Sequence, residues 1–202
     1  MIYSNLIQDV LIVLITYVPP LLVFGWFWER MHRSRVLLFI ISLFYVGISV
    51  YTQNLLPFVF VVIDILYLKT EGWDYEIYNF SLRHMSFFKG LKYSLFSYFV
   101  TLLISAVTIY MFTINSIPIK EQDVVTWMSG MPLYKFLIAA PVAVIFAPVL
   151  EEFVFRWFFY KKVFGRRFGI KLSAVISSVI FAAAHYNLMA FPMILWIGLF
   201  NC

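Results

Sequence analysis

Long apolar runs separated by short basic or mixed segments dominate this 202-residue chain. A hydrocarbon core about 30 Å thick takes roughly 20 residues of helix, and that length divides the sequence into spans. Residues 6–28 predict a first spanning helix, retained rather than cleaved, with a kink at Pro19-Pro20 where the ladder loses donors. It ends at the basic stretch Glu29-Arg30-Met31-His32-Arg33-Ser34-Arg35. The next apolar run, 36–68, is too long for one ordinary span and is interrupted by Thr52-Gln53-Asn54 and Pro57. It predicts either a hairpin of two short spans or one long tilted helix. Charge favours the hairpin. That arrangement puts the basic segments 30–35, 69–92 and 161–171 on one side of the membrane and the mixed Lys120-Glu121-Gln122-Asp123 segment on the other, matching the Lys/Arg bias of cytoplasmic loops. Further spans are expected over 91–115, 133–160 and 172–189, and a last apolar segment begins at Phe191. Residues 71–92 mix Trp73, Tyr75, Ile77, Tyr78 and Phe80 with acids and bases, the composition of either an amphipathic surface strip or a solvated loop.

The pattern therefore predicts an all-α, polytopic transmembrane helix bundle of six or seven membrane segments, with N-terminal helices and loops over 1–132 and a distinct region over 133–202. Composition agrees: 63% of residues are hydrophobic, only 12% are charged, and mean hydropathy is +0.92. The formal charge of +5 does not point to nucleic acid, because the lysines and arginines fall between apolar runs, where they set topology. Cys202 alone cannot form an internal disulfide, and as the last residue it is not a prenylation box. Within membrane lipid, the fold must therefore be held by helix packing rather than by cross-links. Nothing in composition or motif points to an oligomeric state.

Within the run 133–160, Glu151-Glu152-Phe153-Val154-Phe155-Arg156 places two carboxylates and a guanidinium among apolar residues. Each charge at the bilayer centre costs at least roughly 2.5–3.5 kcal/mol, so such groups face a partner or a wet cavity. Glu152 and Arg156 are four apart with the acid nearer the N-terminus, the favourable order for a helical ion pair. Glu151, about 100° away around an α-helix, has no obvious local partner. Phe181-Ala-Ala-Ala-His185 follows in the next apolar run, with Phe181 one turn before the histidine on the same face. Intramembrane hydrolysis needs a water, a base to activate it and donors for the oxyanion, and Glu151 and His185 are of the right types for the base and its partner. The same residues also fit a salt-bridged helix terminus and a packing histidine. Two acids and a histidine are possible zinc ligands, but no His-Glu-x-x-His pair or second nearby histidine completes a site, so no metal and no cofactor are expected. His32 and His84 lie in expected loops and Asp64 near an expected helix end, and all three read as structural.

Glu151-Glu152-x-x-x-Arg156, a short basic stretch with Arg167-Phe168-Gly169, and Phe181-x-x-x-His185 in the next helix together resemble the CAAX protease and bacteriocin-processing enzyme family, also called Abi. The resemblance covers 133–202; the N-terminal half is similar only as a hydrophobic helical array. It implies a metal-independent intramembrane endopeptidase in which Glu151 and His185 activate water while Glu152 and Arg156 form the supporting pair, with Phe181 packed beside the site. The implied partner is a peptide or lipid-modified protein: a prenylated protein, bacteriocin precursor or signalling peptide. The implied setting is a site near the cytoplasmic face of a bacterial plasma membrane. Family members are also associated with non-catalytic roles, which leaves a bacteriocin self-immunity factor or a regulator of a membrane partner as the alternative. Members usually continue to a final helix bearing a further His or Asn for the oxyanion. Here Phe200-Asn201-Cys202 is reached with the Gly198-containing helix under way, so the expectation is a bundle lacking the family's last helix.

Overall fold

The computed structural model describes residues 7–8, 10–52, 54–70, 86–119 and 123–202. Most of the expected amphipathic strip, with His84, lies outside them. Among the described residues all regular structure is helical: α1 (Val18–Arg30), α2 (Arg35–Thr52), α3 (Leu55–Thr70), α4 (Phe87–Ile114), α5 (Asp123–Ser129), α6 (Leu133–Pro141), α7 (Ala147–Glu151), α8 (Gly165–Ala183) and α9 (Phe191–Phe200). Three π-helical segments interrupt this series, at Val13–Tyr17, Val142–Phe146 and Glu152–Phe164. Among the described residues, four continuous helical stretches are long and apolar enough to cross a membrane: Val10–Arg30, Arg35–Thr52, Phe87–Ile114 and Leu133–Ala183.

The prolines explain two of the π segments. Pro19 and Pro148 each stand among the first residues of the α-helix that follows one. A proline cannot donate to the carbonyl four residues back, so the ladder widens to i→i+5 bonds and continues. The kink expected at Pro19-Pro20 thus takes the form of a π segment ending at Tyr17. The run 36–68 divides between Thr52 and Leu55 into α2 and α3, and the two helices turn back on each other: the Tyr45 and Phe60 rings are 4.4 Å apart.

The expected loop at 161–171 is a correction. The chain stays helical through Lys161, Lys162, Arg166 and Arg167, and the break narrows to Gly169 at φ 76°, ψ 169°. Lysine and arginine are good helix formers, whereas that φ favours glycine. Gly165 permits the passage from π to α winding, since a Cβ there would lie 2.8 Å from the Tyr160 carbonyl oxygen.

Two compact units are present, one formed by Met1–Tyr75 with Pro132–Phe158, the other by Glu76–Met131 with Phe159–Cys202. In the first, α1, α2, α7 and the Val142–Phe146 segment pack on α3. Its interior is aromatic, with Phe24 against Phe60, Phe27 against Tyr67 and Phe58 stacked on Phe146 at 4.4–4.9 Å between centroids. The buried Tyr45 hydroxyl donates to the Tyr17 carbonyl at 2.7 Å, and the Tyr17 hydroxyl donates to Asn54 Oδ1 at 3.2 Å. In the second unit α9 packs on α8 and α4. Ser173, Ser177 and Ser178 of α8 are fully buried, and small residues let helix backbones approach closely where lipid offers no hydrophobic drive. The approach is closest at Gly198 of α9, where a Cβ would lie 2.8 Å from Ser178 Cβ and 3.2 Å from its Cα.

Replacing Gly198 by valine is therefore expected to separate α8 from α9 and lower Tm by several degrees in detergent, with membrane abundance falling in parallel. The double variant Gly198→Ala/Ser178→Gly removes the Cβ and Oγ in the way and should recover most of the loss seen in Gly198→Ala; no recovery would mean the contact does not limit stability.

Candidate active site

Glu151 is the last residue of α7 and Glu152 the first of the 13-residue π segment Glu152–Phe164. Around them Leu150, Phe153, Val154 and Phe155 are buried, so the carboxylates emerge from an apolar sleeve. Glu151 is half-buried and Glu152 exposed, while the Arg156 side chain keeps only 10% of its surface. Arg156 Nε lies 3.9 Å from Glu152 Oε1, the i,i+4 pair that the spacing predicts. A pair with one half-exposed member contributes little stability by itself; here it keeps a buried guanidinium neutralised.

The sequence reading of Glu151 as an acid without a local partner is corrected by the winding. In an i→i+5 ladder, residue 156 falls beneath both 151 and 152, and Arg156 is within electrostatic reach of Glu151 as well as Glu152. The guanidinium is a planar fork with five donors, suited to serving two neighbouring carboxylates. Phe153 and Trp157, their rings 4.9 Å apart, complete the buried side of this turn.

Phe181 and His185 lie in the second unit, Glu151, Glu152 and Arg156 in the first. His185 is not inside a helix, as the run 172–189 had suggested. α8 ends at Ala183, His185 is exposed in the turn that follows, and Tyr186 takes a left-handed φ of 48°. The last carbonyls of a helix have no partner in the ladder, and His185 supplies one: its Nδ1 is 2.8 Å from the Phe181 carbonyl oxygen. A carbonyl only accepts, so Nδ1 carries the proton and Nε2 keeps its lone pair. The buried Phe181 ring stands edge-on to the imidazole, with centroids 4.9 Å apart and an interplanar angle of 83°. One residue thus holds the histidine by both its carbonyl and its ring. Tyr186 then turns the chain toward Asn187, whose Oδ1 accepts from the Ala190 amide at 3.0 Å just before α9.

Among the described residues no three His, Cys, Asp or Glu side chains gather to hold a metal ion. Asp64, expected near a helix end, is instead well inside α3 and fully buried. The signal was present, since 57, 60, 61, 64 and 68 form one helical stripe and the other four are apolar.

With both halves of the pattern described, comparison with known proteins places the C-terminal third. Residues 133–202 match the family model for Rce1-like proteins, type II CAAX prenyl endopeptidases, consistent with the CAAX protease family. No curated protein and no solved structure matches the chain. The molecule is an integral membrane protein whose matched region contains Glu151, Glu152, Arg156, Phe181 and His185.

Glu152→Gln removes the nearer counter-charge of a buried guanidinium and is expected to cost about 1 kcal/mol, a Tm fall of ~2–4 °C. Glu152→Gln/Arg156→Met removes both charges and should restore stability relative to the single variant. A double variant as unstable as the sum of its parts would show that the two side chains are not coupled.

Proposed function

We propose that the chain is an intramembrane endopeptidase of the CAAX type that hydrolyses a peptide bond through a water activated by Glu151 and His185. The observation carrying this reading is the match over 133–202 to prenyl endopeptidases, a region that holds the Glu-Glu-x-x-x-Arg and Phe-x-x-x-His patterns in order. In this reading Glu151 is the general base, half-buried and within reach of the Arg156 charge. His185, its tautomer set by the Phe181 carbonyl, has the Nε2 lone pair free to take a proton from a water and, once protonated there, to return it to the departing amine. Glu152 and Arg156 are positioning residues: their ion pair holds the turn that carries Glu151. The substrate is a prenylated protein, bacteriocin precursor or signalling peptide entering from the lipid, at a site near the cytoplasmic face of a bacterial plasma membrane. The many exposed apolar side chains of α2 and α4 are suited to lipid contact along such a path.

The test is cleavage of a farnesylated CAAX peptide by membranes carrying wild type, Glu151→Gln or His185→Ala, normalised to membrane abundance. Loss of general acid–base participation is expected to lower the rate ~100–10,000-fold at unchanged abundance. Phe181→Ala keeps the carbonyl but removes the ring, and is expected to cost less than His185→Ala. Wild-type rates in both Glu151→Gln and His185→Ala would overturn the assignment.

A further inference from the structure

Asp64 belongs to no part of the peptidase reading, yet among the described residues of the first unit it is the most completely buried ionisable side chain, at 0% exposure within the packed α1–α2–α3 bundle. Among the described residues neither of its carboxyl oxygens has a hydrogen-bonding partner. The natural donor is committed elsewhere. The Tyr45 hydroxyl, close enough to feel the Asp64 charge, donates to the Tyr17 carbonyl at 2.7 Å. Ser49, one turn beyond Tyr45 on α2 and fully buried, has its hydroxyl beside that of Tyr45 without completing a hydrogen bond to it. The charged or titratable groups of the elements packed on α3 are Glu29 and Arg30 of α1, Arg35, Tyr45 and Tyr51 of α2 and Glu151 of α7, with Tyr67 and Lys69 on α3 itself. Arg30, Arg35 and Lys69 are exposed at helix ends, and of the whole set only Tyr45 is within electrostatic reach of Asp64.

A carboxylate removed from water with neither donors nor a counter-charge is too costly to persist. Besides its own two oxygens, the bundle offers the Tyr45 hydroxyl, within electrostatic reach of Asp64 and with its lone pairs uncommitted, and the Ser49 hydroxyl next to that of Tyr45. One carboxylate can balance one positive charge, and oxygen ligands select a hard ion. We propose that Asp64, Ser49 and Tyr45 form a site for a single small monovalent cation, H+ or Na+, within the N-terminal helix bundle. The two ions share one chemistry, neutralising a dry carboxyl, and the site ties the packing of α2 on α3 to ion occupancy. It stands independently of the peptidase reading.

The test follows thermal unfolding of the purified full chain in detergent, wild type against Asp64→Asn, over a pH series and with Na+ exchanged for N-methylglucamine at constant ionic strength. A proton site predicts that wild-type Tm rises by about 2–4 °C on acidification and ignores Na+; a sodium site predicts a rise of that size with Na+ at fixed pH. In both cases Asp64→Asn, which cannot ionise, loses the response. Identical responses in wild type and variant overturn the proposal. Should Asp64→Asn fail to accumulate, labelling of the wild-type protein with dicyclohexylcarbodiimide, mapped by mass spectrometry, decides the matter. Asp64 modification that increases at acid pH or is suppressed by Na+ supports the site; absent modification, or modification sensitive to neither, overturns it.

Discussion

Satisfying backbone and side-chain polar groups without water is the constraint on which this structure depends. In hydrocarbon an open N–H or C=O costs several kcal/mol, so a spanning chain takes helical hydrogen bonds wherever its residues allow them. Proline denies such a bond, and at Pro19 and Pro148 the chain widens its winding instead of breaking. Side-chain hydroxyls obey the same rule by bonding back to carbonyls of their own helix, as Ser42 does to Leu38, Thr101 to Ser97, Thr108 to Ile104 and Thr113 to Ile109 at 2.8 Å each. His185 extends it past a helix end: its imidazole satisfies the carbonyl of Phe181 and is oriented in the act.

Changing the winding also changes which residues are neighbours. In an α-helix a guanidinium at 156 serves the acid at 152 and passes by the acid at 151; in the π segment it lies beneath both. Two adjacent carboxylates repel, and placing one buried cation under the pair is the economical way to keep them side by side in an apolar sleeve. The neighbouring polar groups are treated differently. Asp64 shares a fully apolar stripe with no cation within reach, which sets it apart from the Glu-Glu-Arg turn as a problem in charge compensation.

Much of this architecture is legible in local sequence. Apolar run lengths mark the helices, Thr52-Gln53-Asn54 marks the division between α2 and α3, and the i,i+4 spacings pair Glu152 with Arg156 and Phe181 with His185. These features follow from distances along one chain, which helical geometry converts directly into distances in space. The basic run 161–171 misleads, because positive charge between apolar runs suggests a loop, while lysine and arginine propagate a helix until Gly169 interrupts it.

What the sequence by itself determined is therefore the helical, membrane-embedded class of the protein, the order of its spans and the ion pair and ring contact written four residues apart. Tertiary structure alone decided that the Arg156 charge is within reach of Glu151 too, that His185 stands beyond a helix end with Nδ1 engaged, that Gly198 of α9 meets Ser178 of α8, and that Asp64 is fully enclosed well inside α3 rather than near a helix end. The division has one physical reason. Period and spacing specify which residues share a face, but how tightly a helix winds, where it stops and which other face it meets depend on packing between segments far apart in the chain, and that packing sets whether a polar atom finds a partner or must hold its own counter-charge.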